Sequence, residues 1–309
     1  MIFIVLFIFS GCSTDSEIST IDSSSDDSRI KVYTSIYPIQ FAVEQIGGDG
    51  ISTDTVFPPG ANEHTYEPTS KEITEIAESD AFIYLGAGLE GFAETLSDSI
   101  NNQDVKLLEI GEFKELFIES DEDHEEGEGE HEHEKSDVDP HIWLDPLRMI
   151  KIAEIVRDHL VALNPDEENT YNANFAALKS DLLELDQMFI DILEEKDNKN
   201  ILVSHAAFGY WEERYGIKQL SVNGISSTQE PSQKEIVEIV EQAEEYGIGY
   251  IIYEQNVSNR VTKIIEEYIG AESLSIHNLS VLTEEDITNN EDYFSLMKDN
   301  LEVLDKATN

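Results

Sequence analysis

The chain has 309 residues, 66 of them acidic and 19 basic, for a formal net charge of −47. A polyanion of this kind repels phosphates, which excludes nucleic acid as a partner. The charge draws cations over a Debye length without selecting one, and it is otherwise the mark of a solvated surface such as high-salt proteins carry.

The chain opens with "MIFIVLFIFSGC", an apolar run too short to span a bilayer, ending in small residues and the sole cysteine, Cys12. A thiol directly after Ser-Gly resembles a bacterial lipobox, in which the cysteine is lipidated. Phe9 departs from the smaller aliphatic residue usual there, and no Lys or Arg precedes the apolar core. Residues 1–12 are thus expected to be a lipoprotein signal peptide. Residues 13–28, rich in Ser and Asp, are expected to be a flexible tether.

From Arg29 the texture becomes alternating strand and helix. "RIKVYTSI", "ISTDTVF", "AFIYLG" and "VKLLEI" read as strands, separated by helical "PIQFAVEQIGG", "TSKEITEIAESD" and "LEGFAETLSDSI". The second of these helices carries a Thr-x-x-Glu capping box. Residues 119–138 then lose all apolar period and read as a disordered acidic loop. Helix resumes at "DPLRMIKIAEIVRDHLVAL", with Asp145 as N-cap and Pro146 at the first helical position. A second helix of roughly 30 residues follows from Asn164, long by globular standards.

The remainder repeats the plan. "NILVSH", "IKQLSV", "GYIIYE" and "ESLSIH" read as strands, and helices follow each of them. The expected fold is α/β: two Rossmann-like lobes with mainly parallel four-stranded sheets, joined by one long rigid helix, with a cleft between them. The expected limits are 29–164 for the first lobe, 165–197 for the linking helix and 198–309 for the second lobe. Open α/β sheets bind ligands outside the carboxyl ends of their strands.

Three histidines stand at such places. His64 lies in "FPPGANEHTYEP" after the second strand, His141 in "DPHIWLDP", and His205 in "LVSHAAFGYW" at the end of the first strand of the second lobe. Proline and glycine fix the first two loops. Neutral imidazoles are ligands of borderline cations such as Zn(II), and three of them leave one tetrahedral position open.

"PPGANEHTYEP", "DPHIWLDP" and "VSHAAFGYW", in this order, resemble the substrate-binding lipoproteins of bacterial zinc and manganese ABC importers, the cluster A-I binding proteins, some of them also surface adhesins. The resemblance runs from Arg29 to the C-terminus and includes the long helix and the acidic, His-bearing insert. It implies a metal held between the lobes by His64, His141 and His205. A histidine at the third position is similar to the zinc branch, where manganese-selective members usually have glutamate, so Zn2+ is the expected ion and Mn2+ the alternative. The fourth ligand departs from the family: Ser280 stands where close relatives often carry glutamate, which leaves water, Glu63 or His277 for the place. In zinc-branch relatives an insert like 119–138 is thought to gather metal, a role that would fall here to His124, His131 and His133; the plain alternative is a solvated charge run. It contains no His-Glu-x-x-His, which excludes the metalloprotease motif.

"GAGLEG", Gly86 to Gly91, fits a dinucleotide fingerprint, with Asp104 and Glu109 downstream. Its place at the third strand favours a plain tight turn into a helix. The function expected from the resemblance is an extracellular zinc-binding receptor, not an enzyme, delivering metal to an ABC permease. It would be held at the membrane by a lipid anchor and act as a monomer. A zinc hydrolase using Glu63 as base and an adhesin with a structural metal are the readings from other classes.

Overall fold

The computed structural model describes residues 29–101, 103–118, 138–255 and 260–308. The expectations for Cys12, the tether, and His124, His131 and His133 of the acidic loop lie outside the described residues.

In the first lobe, β1 (Ile30–Thr34), α1 (Tyr37–Gly47), β2 (Ile51–Thr55), α2 (Ser70–Ala77), β3 (Ala81–Tyr84), α3 (Ala93–Ile100) and β4 (Lys106–Glu109) alternate. The capping box at α2 is present, with Thr69 Oγ1 accepting from Glu72 N and Glu72 Oε2 accepting from Thr69 N. All strand pairings are parallel, in the order β2-β1-β3-β4. The order reverses between β1 and β3, which makes the crevice there the switch point of the sheet.

Helix α4 (Pro146–Leu163) begins on the expected cap, where the Asp145 carboxylate accepts from Leu147 N. Helix α5 (Glu168–Leu193) has 26 residues, about 39 Å at 1.5 Å per residue. It starts later than the sequence suggests because Pro165–Glu167 form a 3-10 turn first. Tyr171, Phe175, Leu178, Leu182, Leu185, Phe189 and Leu193 bury one face of it, at the spacing of three and four that a single helical stripe requires.

The second lobe repeats the first. It comprises β5 (Asn200–His205), α6 (Gly209–Tyr215), β6 (Lys218–Asn223), α7 (Gln233–Glu245), β7 (Tyr250–Glu254), α8 (Arg260–Ile269) and β8 (Glu272–Ile276). Its sheet is again parallel, in the order β6-β5-β7-β8. Then come α9 (Glu284–Asn289) and α10 (Tyr293–Ala307). Helix α9 was not expected: six residues with Ile287 half exposed show no apolar period, and only the Thr283–Asp286 capping box marks it.

The lobes share one main core. One apolar cluster runs from Val32 in β1 through α4, α5 and β5 to Leu304 in α10. Phe41 of the first lobe stacks on Tyr293, ring centroids 5.4 Å apart, and meets Phe294 edge-on at 5.6 Å. A smaller cluster, including Leu202, Val222, Ile239 and Ile265, lies under α7 and α8. None of the described helices is long and apolar enough to cross a membrane.

Because α5 joins this common core, Leu182→Ala should destabilise the protein by about 2–5 kcal/mol. Its exposed neighbour Leu183→Ala should change stability by no more than ~0.5 kcal/mol. Denaturant melts of the two variants check this; equal effects would show that the helix face is not the support described.

Candidate metal centre

His205 ends β5 and Glu254 ends the adjacent β7, so the pair flanks the switch point of the second sheet. The carboxylate of Glu254 accepts from His205 Nδ1, both side chains being almost wholly buried. Burial by itself would hold the imidazole pKa down, but the charge of Glu254 outweighs it and raises it. The same attraction holds Glu254 below the usual carboxylate range despite its burial.

His141 sits at the mouth of a 3-10 turn, Ile142–Leu144. Asp139 Oδ1 accepts from both its backbone N, at 3.0 Å, and its Nδ1, at 2.8 Å. Side chains of the second lobe pin this turn. Tyr210 OH donates to Asp139 O, Trp211 Nε1 to Leu144 O, and Tyr293 OH to Trp143 O. In return Trp143 Nε1 donates to Asn278 O. A segment on the first-lobe side of α5 is thereby held in place by the other lobe.

His64 follows β2 in the Pro-Pro-Gly loop, where Gly60 N donates to Leu282 O and His64 N to Asn62 Oδ1. Burial, with His141 and His205 beside it, pushes the His64 pKa down to about 3. The ring is therefore neutral at any physiological pH.

The three rings converge. Their centroids stand 5.8 Å apart for His64–His141, 5.8 Å for His64–His205 and 5.1 Å for His141–His205. Each offers a ring nitrogen within 4.8 Å of the others. The Nε2 atoms of all three are buried and have no hydrogen-bond partner. A carboxylate can only accept, so Nδ1 of His141 and of His205 carries the proton and Nε2 of the neutral ring keeps its lone pair. Three unpartnered Nε2 atoms gathered in one place suit a single cation. Zn–N bonds of about 2.0–2.1 Å would draw the three nitrogens closer together than the 4.8 Å limit.

The other residues singled out in the sequence are placed differently. Glu63 is buried beside the cluster, but its Oε1 accepts from Asn278 Nδ2 at 3.0 Å, and it is not one of the clustered ligand groups. Burial, with Glu254 nearby, raises its pKa. Both His277 nitrogens are engaged away from the cluster: Leu279 N donates to Nδ1, and Nε2 faces Asp286 Oδ2 at 3.0 Å. Ser280 donates its hydroxyl to Asn278 Oδ1 at 2.7 Å. The glycine-rich turn already holds a buried carboxyl group: Glu90 accepts from Leu85 N and Gly86 N, filling the crevice beside β3 that a phosphate would need. Gly86 has φ +72° and a Cβ there would meet Glu109 Oε1 at 2.2 Å, so the glycine serves a close turn. The turn also delays α3 to Ala93, four residues later than the sequence pattern.

Asp139 and Glu254, which orient two of the histidines, escaped the sequence reading. Asp139 does lie two residues before His141 in Asp-Pro-His, which is a local signal. Glu254 shows only as a strand-end acid, and its partner is 49 positions away.

The chain is similar to several known proteins. The family model for the zinc-uptake complex component A, periplasmic (ZnuA), matches residues 32–307. The zinc-binding lipoprotein AdcA of Streptococcus pneumoniae is 32% identical over 282 residues, covering 91% of this chain and 56% of AdcA. The chain thus spans little more than half the length of that relative. The high-affinity zinc uptake system protein ZnuA of Bacillus subtilis is 29% identical over 297 residues, covering 96% of this chain and 92% of that protein. Among solved structures, the Zn(II)-bound ZnuA-like domain of S. pneumoniae AdcA aligns with a TM-score of 0.73 at 30% identity, over 91% of this chain and 99% of that one. The laminin-binding protein Lmb of Streptococcus agalactiae, described as a bifunctional protein with adhesin and metal transporting activity, aligns with a TM-score of 0.78 at 25% identity, over 91% and 100%. With a match that takes in both lobes and the long helix between them, the chain belongs to the zinc-uptake complex component A family.

Proposed function

We propose that this chain captures Zn(II) on the outer side of the cell membrane and delivers it to the permease of an ABC importer. The observation that carries the reading is the set of three buried, unpartnered Nε2 atoms of His64, His141 and His205. An all-imidazole set favours Zn(II) over the oxygen-preferring Mn(II). The names of the zinc-uptake relatives support the same ion. The fourth position falls to solvent, since Glu63 and Ser280 are held by Asn278 and His277 by Asp286. The ion is cargo, and the chain acts as a carrier rather than a catalyst.

His64 and His141 come from one side of α5 and His205 from the other, so a bound ion ties the lobes together. Binding shifts the population towards the closed form that the permease recognises. The common core confines that change to small shear and loop movement. Cys12 supplies the lipid anchor, the protein works as a monomer, and His124, His131 and His133 of the acidic loop collect metal.

Replacing one ligand should cost more than replacing an orienting carboxylate. His205→Ala should weaken Zn(II) binding by more than ~100-fold, and Glu254→Gln by about 10–100-fold through loss of ring orientation. Competition calorimetry measures both. Near-wild-type affinity in His205→Ala would contradict the proposed site, and an unaltered Glu254→Gln would remove Glu254 from it.

A further inference from the structure

Asn278, in the loop after β8, is 4% exposed and uses every polar atom of its side chain. Its Nδ2 donates to Glu63 Oε1 at 3.0 Å and to Glu254 Oε2 at 2.8 Å. Its Oδ1 accepts from Ser280 Oγ at 2.7 Å, Ser280 N at 3.1 Å and Gln255 Nε2 at 3.2 Å. With three donors on one side and two carboxylates on the other, only one orientation of the amide satisfies the site. Its backbone is tied as well, N to Gln255 Oε1 and O to Trp143 Nε1.

One neutral amide therefore joins a carboxylate of the first lobe to a carboxylate of the second. Glu254, on its other oxygen, holds His205. Glu63 is buried close enough to His141 and His205 for their charges to act on it, so its carboxylate is the nearest candidate oxygen ligand if it is let go. The space enclosed by Asn62, Glu63, Glu254, Asn278 and Ser280 is only about 10 Å³, room for one water at most.

We propose that Asn278, fixed by Ser280, is a positioning and metal-selecting residue: it keeps Glu63 off the ion and Glu254 on His205, so that the ion takes three imidazoles and solvent. This rests on the zinc-receptor reading above. An oxygen ligand released from Asn278 would make the site more hospitable to Mn(II), because carboxylate suits that ion and imidazole suits zinc.

Co(II) substituted for zinc tests this, since its visible absorption reports ligand set and geometry. Asn278→Ala should change the Co(II) spectrum and narrow the Zn(II)/Mn(II) affinity ratio by about tenfold, within the range for support residues of metal sites. Adding Glu63→Gln to Asn278→Ala should return the spectrum to the wild-type form, a rescue that a merely structural role would not give. Ser280→Ala, which removes one of the contacts on Oδ1, should shift both readouts the same way by less, and serves if Asn278→Ala does not fold. A folded Asn278→Ala with wild-type spectrum and ratio would overturn the proposal. So would a spectral change that Glu63→Gln fails to reverse, or, where only Ser280→Ala folds, a wild-type result from that variant. Absence of Co(II) and Zn(II) binding by the wild-type chain would instead overturn the receptor reading, and this proposal with it.

Discussion

Three imidazole edges buried without hydrogen-bond partners are the constraint around which the molecule is arranged. A buried polar atom left unsatisfied costs roughly 1–3 kcal/mol, so three at one point are a standing expense that an ordinary core would not keep. One divalent cation relieves all three. Everything near them supports that interpretation of the geometry: Asp139 and Glu254 fix the rings through Nδ1, and burial keeps His64 neutral and ready to donate its lone pair.

Such a point can exist only if parts distant in sequence are held in register, which explains the shared core. Tyr210, Trp211 and Tyr293 anchor the His141 turn by backbone oxygens, while Trp143 reaches back to Asn278. These bonds cross from lobe to lobe without passing through the histidines. The two sheets have the same strand order, yet their switch points are used differently. In the first lobe Glu90 fills the crevice; in the second His205 and Glu254 flank it. The first switch point is sealed and the second contributes to the site, while the first-lobe side supplies His64 and His141 from loops elsewhere.

The layout was largely legible in the chain because apolar periods, capping boxes and turn residues agree with the tertiary structure. Both parallel sheets and the long helix follow from them. The three histidines were legible for a similar reason, standing just past strands in loops fixed by proline and glycine. What surrounds them was not. Glu254 acquires its role from strand pairing, a contact of β5 and β7 that no local pattern records. His277 sits at a strand end as His205 does, and only the fold shows that Asp286, nine residues further on, has taken its Nε2. Ser280 reads as a missing ligand in the sequence; in the structure it holds Asn278. Helix α9 escaped because a six-residue helix carries too little periodicity to register.

The central claim is that His64, His141 and His205 together hold one zinc ion. Zinc-edge X-ray absorption on the zinc-loaded protein tests it most directly. The account predicts three imidazole nitrogens at about 2.0–2.1 Å and a single further oxygen. A shell with fewer than three imidazoles, or one made mainly of carboxylate oxygens, would contradict it.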